Sequence, residues 1–385
     1  VKKRGASACL RQGFTTGSAA TAAAKAALEF LFTGKKTAIV DIPLPTGGRL
    51  AIPVESVTWH GEGQEDHAGP DHGHACPAAR QARAVVVKDA GDDPDATNRA
   101  RIACVAGLVH GEPGEVILEG GTGVGRVTRP GLPVPVGQAA INPAPRAQII
   151  RAAREVLDAA GHSGAVRLVI EAEDGEAMAA RTLNPRLGIV GGISILGTQG
   201  IVKPFSLDAW KATIDSGLEV ARASGTDTAA FSTGRRSERM LMAHMPELPE
   251  ICFVQAADFF AYSLEKAVSL GFSGIVWGCF FGKLVKMAQG PRYTHAHEAP
   301  TDFAALAALA EQAGAGEDIC REVALANTAR HALEIVPEGE MRARFAALTA
   351  GRALAAARSF AGDGPRLTIC CFGFEGGLLA KAYSA

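Results

Sequence analysis

Residues 88–97, Lys88-Asp-Ala-Gly-Asp-Asp-Pro-Asp95-Ala-Thr97, carry four carboxylates within seven positions, beside a lysine and a glycine. They follow the apolar run 84–87 directly. Carboxylates crowded in this way can stabilise a cationic group or take up a proton, and a plain connector rarely needs so costly a charge density. A calcium loop fits poorly, because the alternating D-x-[DN]-x-[DN]-G spacing and the late glutamate are missing. A solvated acidic turn is the remaining alternative.

Two hydroxyl-and-glycine turns come next. Thr15-Thr16-Gly17-Ser18 stands at an expected helix start, where unpaired N–H groups and the positive dipole end can hold an anion; simple N-capping explains it equally. Ser232-Thr233-Gly234-Arg235-Arg236 repeats the arrangement after an expected strand, the end of an α/β sheet where ligands bind. Arg235 and Arg236 can grip carboxylates bidentately, or simply form a solvated face. The run 66–76, with His67, His72, His74 and Cys76, could bind metal, but its glycine and proline content favours an ordinary loop. His295 and His297 are two apart off a helix, so they do not make the i, i+4 face of a zinc site. His295 could act as a base, with a structural role as the default.

Familiar nucleotide signatures fail. Gly278-Cys-Phe-Phe-Gly282-Lys283-Leu284 is one residue short of a Walker loop and ends in leucine. Gly121-Thr-Gly123-Val-Gly125-Arg126 breaks the dinucleotide fingerprint. It resembles the strand-to-glycine turn of common Rossmann methyltransferases, but Pro130 and Pro133 follow where a helix should open. The loop could still approach a ligand.

These residues need a framework of 385 residues, long enough for two domains. The 39 basic residues against 40 acidic ones leave no strongly basic character, which argues against nucleic acid as partner. No apolar run reaches the length of a membrane span, and no apolar segment follows the N-terminal charges as in a signal peptide. The eight cysteines include no C-x-x-C pair, which suits a reduced, cytoplasmic protein. Helix formers fill 18–32 and close at Gly34, and β-branched segments follow near 38–42, 50–57, 84–88, 102–108 and 116–119. The first part, 1–144, therefore reads as a sheet-rich α+β domain. From Pro145 a helical spacing runs to Gly161. Strands at 166–171, 228–231, 251–254 and 274–277 then alternate with helices, which implies a parallel sheet in an α/β domain spanning 145–385. Its tail, 303–359, is helical and precedes a strand at 367–372.

Eight strings in order resemble one family. They are Arg11-Gln-Gly-Phe-Thr-Thr-Gly-Ser18, Val87 to Asp95, Gly121 to Gly131, Ala140 to Arg146, Gly192 to Val202, Ser232-Thr-Gly-Arg-Arg-Ser-Glu238, Gly282-Lys-Leu-Val-Lys286 and Asn327-Thr-Ala329. Together they are similar to the cobalt-precorrin-5B C(1)-methyltransferases of cobalamin biosynthesis, the CbiD type. The resemblance implies S-adenosyl-L-methionine as methyl donor and a cobalt-containing tetrapyrrole methylated at ring carbon 1. It also implies a Rossmann-like second domain. Transient contact with neighbouring pathway enzymes and a homo-oligomer are compatible with it.

Under that resemblance, Thr15, Thr16, Ser18, Lys88, Asn142, Arg146 and Lys283 are expected to hold the acceptor. Asp93, Gly121, Gly123, Ser232, Thr233, Gly234 and Arg235 are expected at the donor, and Asp89, Asp92 and His295 in catalysis. No metal site is expected. Departures from the family pattern are Ala19 in place of a cysteine, which rules out a thiol there, Arg99 where glycine is usual, Ala296 where serine is usual, and the insertion-like run 66–76. The competing readings are a nicotinamide-dependent reductase, weakened by the missing fingerprint, and a corrinoid carrier that binds tetrapyrrole without the donor.

Overall fold

The computed structural model describes residues 10–61 and 80–384, so the histidine-containing run 66–76 lies outside the described residues. The chain forms two compact units, Val1–Ser206 and Leu207–Ala385.

The first unit is built on the helix Thr16–Thr33. Thr15 caps it by accepting from the Ser18 N–H at 3.1 Å, and Gly34 ends it at φ +68°, a left-handed conformation that glycine adopts without strain. The helix is almost entirely buried, and its alanines let the neighbouring backbones come close. On one side lies the helix Pro143–Ala160. On the other lies a five-stranded sheet in the order Ser56–His60, Gln81–Val87, Arg101–Val109, Ala165–Ala172, Val116–Gly120. Neighbours are antiparallel except the last pair, where Val166 to Ile170 run parallel to Val116 to Gly120. The helix Pro143–Ala160 lies between these two parallel strands in sequence and belongs to their crossover. The division expected at residue 145 therefore cuts through a β-α-β connection, and it lies instead between Ser206 and Leu207.

A hairpin, Ile39–Pro43 with Arg49–Pro53, adds an ionic cluster. Arg49 donates to Glu155 at 2.9 and 3.0 Å and pairs with Asp41, and Lys25 reaches Glu155 at 3.3 Å. The Arg49 hydrogen bonds, aided by Lys25 and opposed by partial burial, lower the Glu155 carboxyl from 4.5 to about 2. A carboxyl lowered on folding stabilises the fold above its ordinary value and loses that contribution as pH falls through the folded value. Glu155→Gln should therefore flatten stability against pH between 4.5 and about 2, followed by urea unfolding across that range. A curve as steep as that of the wild type would refute this.

The second unit holds a sheet in the order Phe253–Gln255, Thr228–Ser232, Gly274–Phe280, Arg366–Phe372, Leu378–Tyr383. The first four strands are parallel, and the last is an antiparallel edge strand. Ala230, Val276, Cys370 and Phe372 pack with Leu241 of the helix Arg235–His244 on one face. Phe231 and Trp277 face the helix Phe260–Ser269, with Phe260 edge-on to Trp277 at 5.0 Å. Phe281 of the helix Phe281–Ala288 packs on Phe345 of the long helix Glu340–Ala361. The helical tail thus packs within this unit. No helix among the described residues is long and apolar enough to cross a membrane.

Candidate functional site

Strand order marks the place in the second unit where a ligand crevice is expected. The chain leaves Thr228–Ser232 for one neighbour, Phe253–Gln255, and then crosses to Gly274–Phe280 on the other side. Connections that diverge from two adjacent parallel strands open a crevice at their carboxyl ends. Ser232 and Gly278 are register partners there, and Ser232 also pairs with Gln255.

The Ser232 hydroxyl is 1% exposed and has no hydrogen-bond partner, an expensive state for a buried polar group. Thr233 and Ser237 hydroxyls meet at 3.2 Å, and Ser237 donates to the Gly234 carbonyl at 2.9 Å. Gly234 opens the helix Arg235–His244 without a side-chain cap. Its backbone is extended, and a Cβ placed there would meet nothing within 4 Å. Neither packing nor backbone strain demands glycine at this position. Arg235 is exposed, and one turn along Glu238 is buried and accepts from Gln255 at 2.7 Å. Glu238 stands in the string 232–238 without an expected role, and Gln255 has no sequence signal, since only strand register brings it beside the Ser232 turn.

At the same end of the sheet, Lys283 pairs with Asp258 and reaches the Thr294 carbonyl at 3.4 Å. Thr294 donates its hydroxyl to Asp258 at 3.1 Å, and its N–H to the Asp258 carbonyl at 2.9 Å. The structure thus joins Lys283 to the turn carrying His295 through Asp258, a lone acid with no sequence motif around it. The His295 ring stacks on Tyr293 at 5.8 Å, and its Nδ1 accepts from the His297 N–H at 3.5 Å. Burial and the nearby Lys283 charge lower the Lys286 ammonium below its ordinary range.

The acidic loop of the first unit is held by its own charges. Asp89 takes both ends of the Arg11 guanidinium, which lowers its carboxyl, and Asp92 accepts the Arg11 N–H at 2.6 Å. Gly13 and Gly91 sit at the crossing of these two segments, where a Cβ on either would overlap the other's backbone. Lys88, expected to meet the acceptor, is 1% exposed and pairs with Asp95 at 2.5 Å. Burial would raise Asp95, but Lys88 and the two Thr97 donors outweigh it and lower the carboxyl. Asp93 accepts the N–H of Phe205 at 3.0 Å.

Arg99 closes the loop at φ +68°. A left-handed conformation costs an ordinary residue roughly 1 kcal/mol that glycine does not incur. Arg99→Gly should therefore raise stability by up to about 1 kcal/mol, less the added freedom of the unfolded chain. Thermal unfolding tests it, and a lowered Tm would show that the Arg99 side chain contributes more than the strain costs.

Several expected contacts are used up inside the protein. The Thr16 hydroxyl bonds the Ser194 and Leu196 carbonyls and accepts from the Leu196 N–H, and Ser18 donates to the Gly200 carbonyl at 2.8 Å. With Thr15 capping Ser18 and the Gly17 N–H on Leu196, this turn anchors the segment 194–200 instead of presenting donors to a substrate carboxylate. Gly121 and Gly123 are also internal: a Cβ on Gly123 would overlap the Ala172 carbonyl, and one on Gly121 would lie 2.8 Å from Val169. Asn142 precedes the helix Pro143–Ala160 without a side-chain cap, and half-buried Arg146 reaches the Leu118 carbonyl at 3.5 Å. Among the described residues, no group of three or more His, Cys, Asp or Glu side chains could hold a metal ion. Burial raises the thiols of Cys104, Cys279, Cys370 and Cys371, which makes them poor nucleophiles.

Comparison with known proteins adds lineage to this geometry. The CbiD family model matches residues 3–204, and that of the CbiD C-terminal domain matches 293–383. A protein of Nitratidesulfovibrio vulgaris named cobalt-precorrin-5B C(1)-methyltransferase is 49% identical, covering 97% of this chain and 93% of its own. One of the same name from a Geobacillus species is 43% identical over 97% of this chain and 96% of its own. A solved cobalamin biosynthesis protein (CbiD) from Archaeoglobus fulgidus is 27% identical over 74% of this chain and 81% of that chain, with a TM-score of 0.37, too low to bear on the fold. The chain belongs to the CbiD family.

Proposed function

We propose that this chain transfers the methyl group of S-adenosyl-L-methionine to ring carbon 1 of cobalt-precorrin-5B, giving cobalt-precorrin-6A in cobalamin biosynthesis. The observation that carries this reading is near-full-length similarity, at 49% identity, to a relative bearing that enzyme's name. The second unit is read as Rossmann-like, on the strength of its parallel strand order. The protein is read as working in the cytoplasm.

The donor is assigned to the crevice at Ser232, Thr233, Gly234 and Arg235. The orphaned Ser232 hydroxyl, the open space above Gly234 and the uncapped helix start all suit a polar ligand carrying a carboxylate. Bound there, the donor supplies a methyl on a positively charged sulfur. Glu238 brings negative charge to a site that must stabilise a cation, whereas the charge of Asp258 is spent on Lys283. Lys283 is held by Asp258 for an acceptor carboxylate, and His295 is the group within this cluster able to take a ring proton. Asp89 and Asp92 are assigned to holding Arg11 within the first unit. The protein's main task is alignment of methyl and ring carbon in one line.

Ser232→Ala tests the donor seat. Removing an unpartnered buried hydroxyl should leave stability unchanged or slightly raised, whereas affinity for S-adenosylhomocysteine, titrated calorimetrically, should fall about tenfold. Undiminished affinity in Ser232→Ala would move the donor elsewhere, and no affinity in the wild type would remove the reading.

A further inference from the structure

A second feature at the carboxyl end of the same sheet has no part in the donor seat. Phe280 ends the strand Gly274–Phe280, and Phe374 follows the strand Arg366–Phe372. Their rings stack at 5.1 Å with planes 15° apart. The Arg236 guanidinium lies 5.2 Å from the Phe280 centroid and 5.6 Å from that of Phe374, and it donates to the Phe374 carbonyl. Arg330 lies over Phe374 at 4.6 Å and is steadied by Glu334 at 2.7 Å. Both arginines are exposed, and Phe374 is 36% exposed.

A guanidinium resting on an aromatic ring keeps its charge and its planar fork of N–H donors while losing much of its rotational freedom. That is the preorganised state suited to carboxylates, because less entropy is lost on binding. Arg235 and Arg239, four apart on the helix that also carries Arg236 and both exposed, add to the positive field. Even with Arg330 partly offset by Glu334, the positive charge of Arg235, Arg236 and Arg239 exceeds the needs of the single carboxylate of an amino-acid-derived donor. It matches a ligand bearing several.

We infer that Arg236 and Arg330, positioned by the Phe280–Phe374 stack, form a seat for the acidic side chains of the tetrapyrrole acceptor. This rests on the proposed methyltransferase reading for the identity of the acceptor, and Phe374 acts in it as a positioning residue. The carboxylate bound could also belong to the donor, so the experiment separates the two sources.

Wild-type protein, Arg236→Ala, Arg330→Ala and Phe374→Leu are titrated with cobyrinic acid, whose side chains are free carboxylates. The same proteins are titrated with cobyric acid, in which most of those carboxylates are amides, and with S-adenosylhomocysteine. Each arginine variant should bind cobyrinic acid about tenfold more weakly, with cobyric acid and S-adenosylhomocysteine unaffected. Arg236→Lys, which keeps the charge and loses the fork, should recover part of the loss. Phe374→Leu should show a smaller loss of the same selectivity. Unchanged cobyrinic acid binding, equal loss for both corrinoids, or a loss confined to S-adenosylhomocysteine would each overturn the seat. A wild type that binds cobyrinic acid through these arginines yet transfers no methyl would retain the seat and remove only the reaction.

Discussion

Gly234→Val is expected to keep the fold and to lower methyl transfer by about 100-fold or more, the effect of displacing a reacting partner by roughly an ångström. Nothing lies within 4 Å of a Cβ at this position, and the backbone there is extended, so the protein itself accommodates a side chain. A ligand resting against the helix start would not. Thermal unfolding should therefore shift by no more than about 2 °C, while affinity for S-adenosylhomocysteine collapses. Activity and donor affinity close to those of the wild type would show that the crevice at Ser232–Arg235 is not where the donor sits. A large fall in Tm would instead mark Gly234 as a folding residue.

Gly123→Ala should do the reverse. Gly123 has φ +74°, and a Cβ there would overlap the Ala172 carbonyl; Gly175 and Gly192 in turn crowd the Gly123 carbonyl. Left-handed strain and an overlap with rigid backbone together should cost about 3 kcal/mol or more. The readout is a lowered urea midpoint, with donor affinity preserved at temperatures where the variant remains folded. A variant of normal stability that had lost donor binding would restore the turn at 121–125 as a cofactor loop.

The contrast between these glycines shows what the sequence made legible. Alternating apolar segments and helix formers between 207 and 372 were readable, because each helix and strand there carries its own local periodicity. The helix closing at Gly34 and the one closing at Gly161 were equally plain from their left-handed caps. The unit boundary was not legible. The strand Ala165–Ala172 looks like the start of an α/β series, and only its pairing with Arg101–Val109 and Val116–Gly120 returns it to the first sheet. The edge strand Leu378–Tyr383 follows a turn with Gly376 and Gly377 and was missed for a similar reason.

The site divides in the same way. That Ser232-Thr233-Gly234 forms a strand-to-helix turn was legible, because such a turn is a local event. Asp258, Gln255 and the Phe280–Phe374 stack come together only through strand register. Conversely, Thr15-Thr16-Gly17-Ser18 and Gly121 to Gly125 have the composition of ligand loops, yet their donors and close approaches are spent on the protein's own segments at 169–200. Local composition reports that backbones meet closely; it does not report whose backbone or ligand is met.

The most direct measurement is single-turnover incubation of the protein with methyl-labelled S-adenosyl-L-methionine and cobalt-precorrin-5B, with product mass and carbon-13 NMR recorded on the isolated tetrapyrrole. One added methyl, located on ring carbon 1, is the expected result. Tight binding of both ligands with no label in the ring, or label on a different ring carbon, would contradict the proposed reaction.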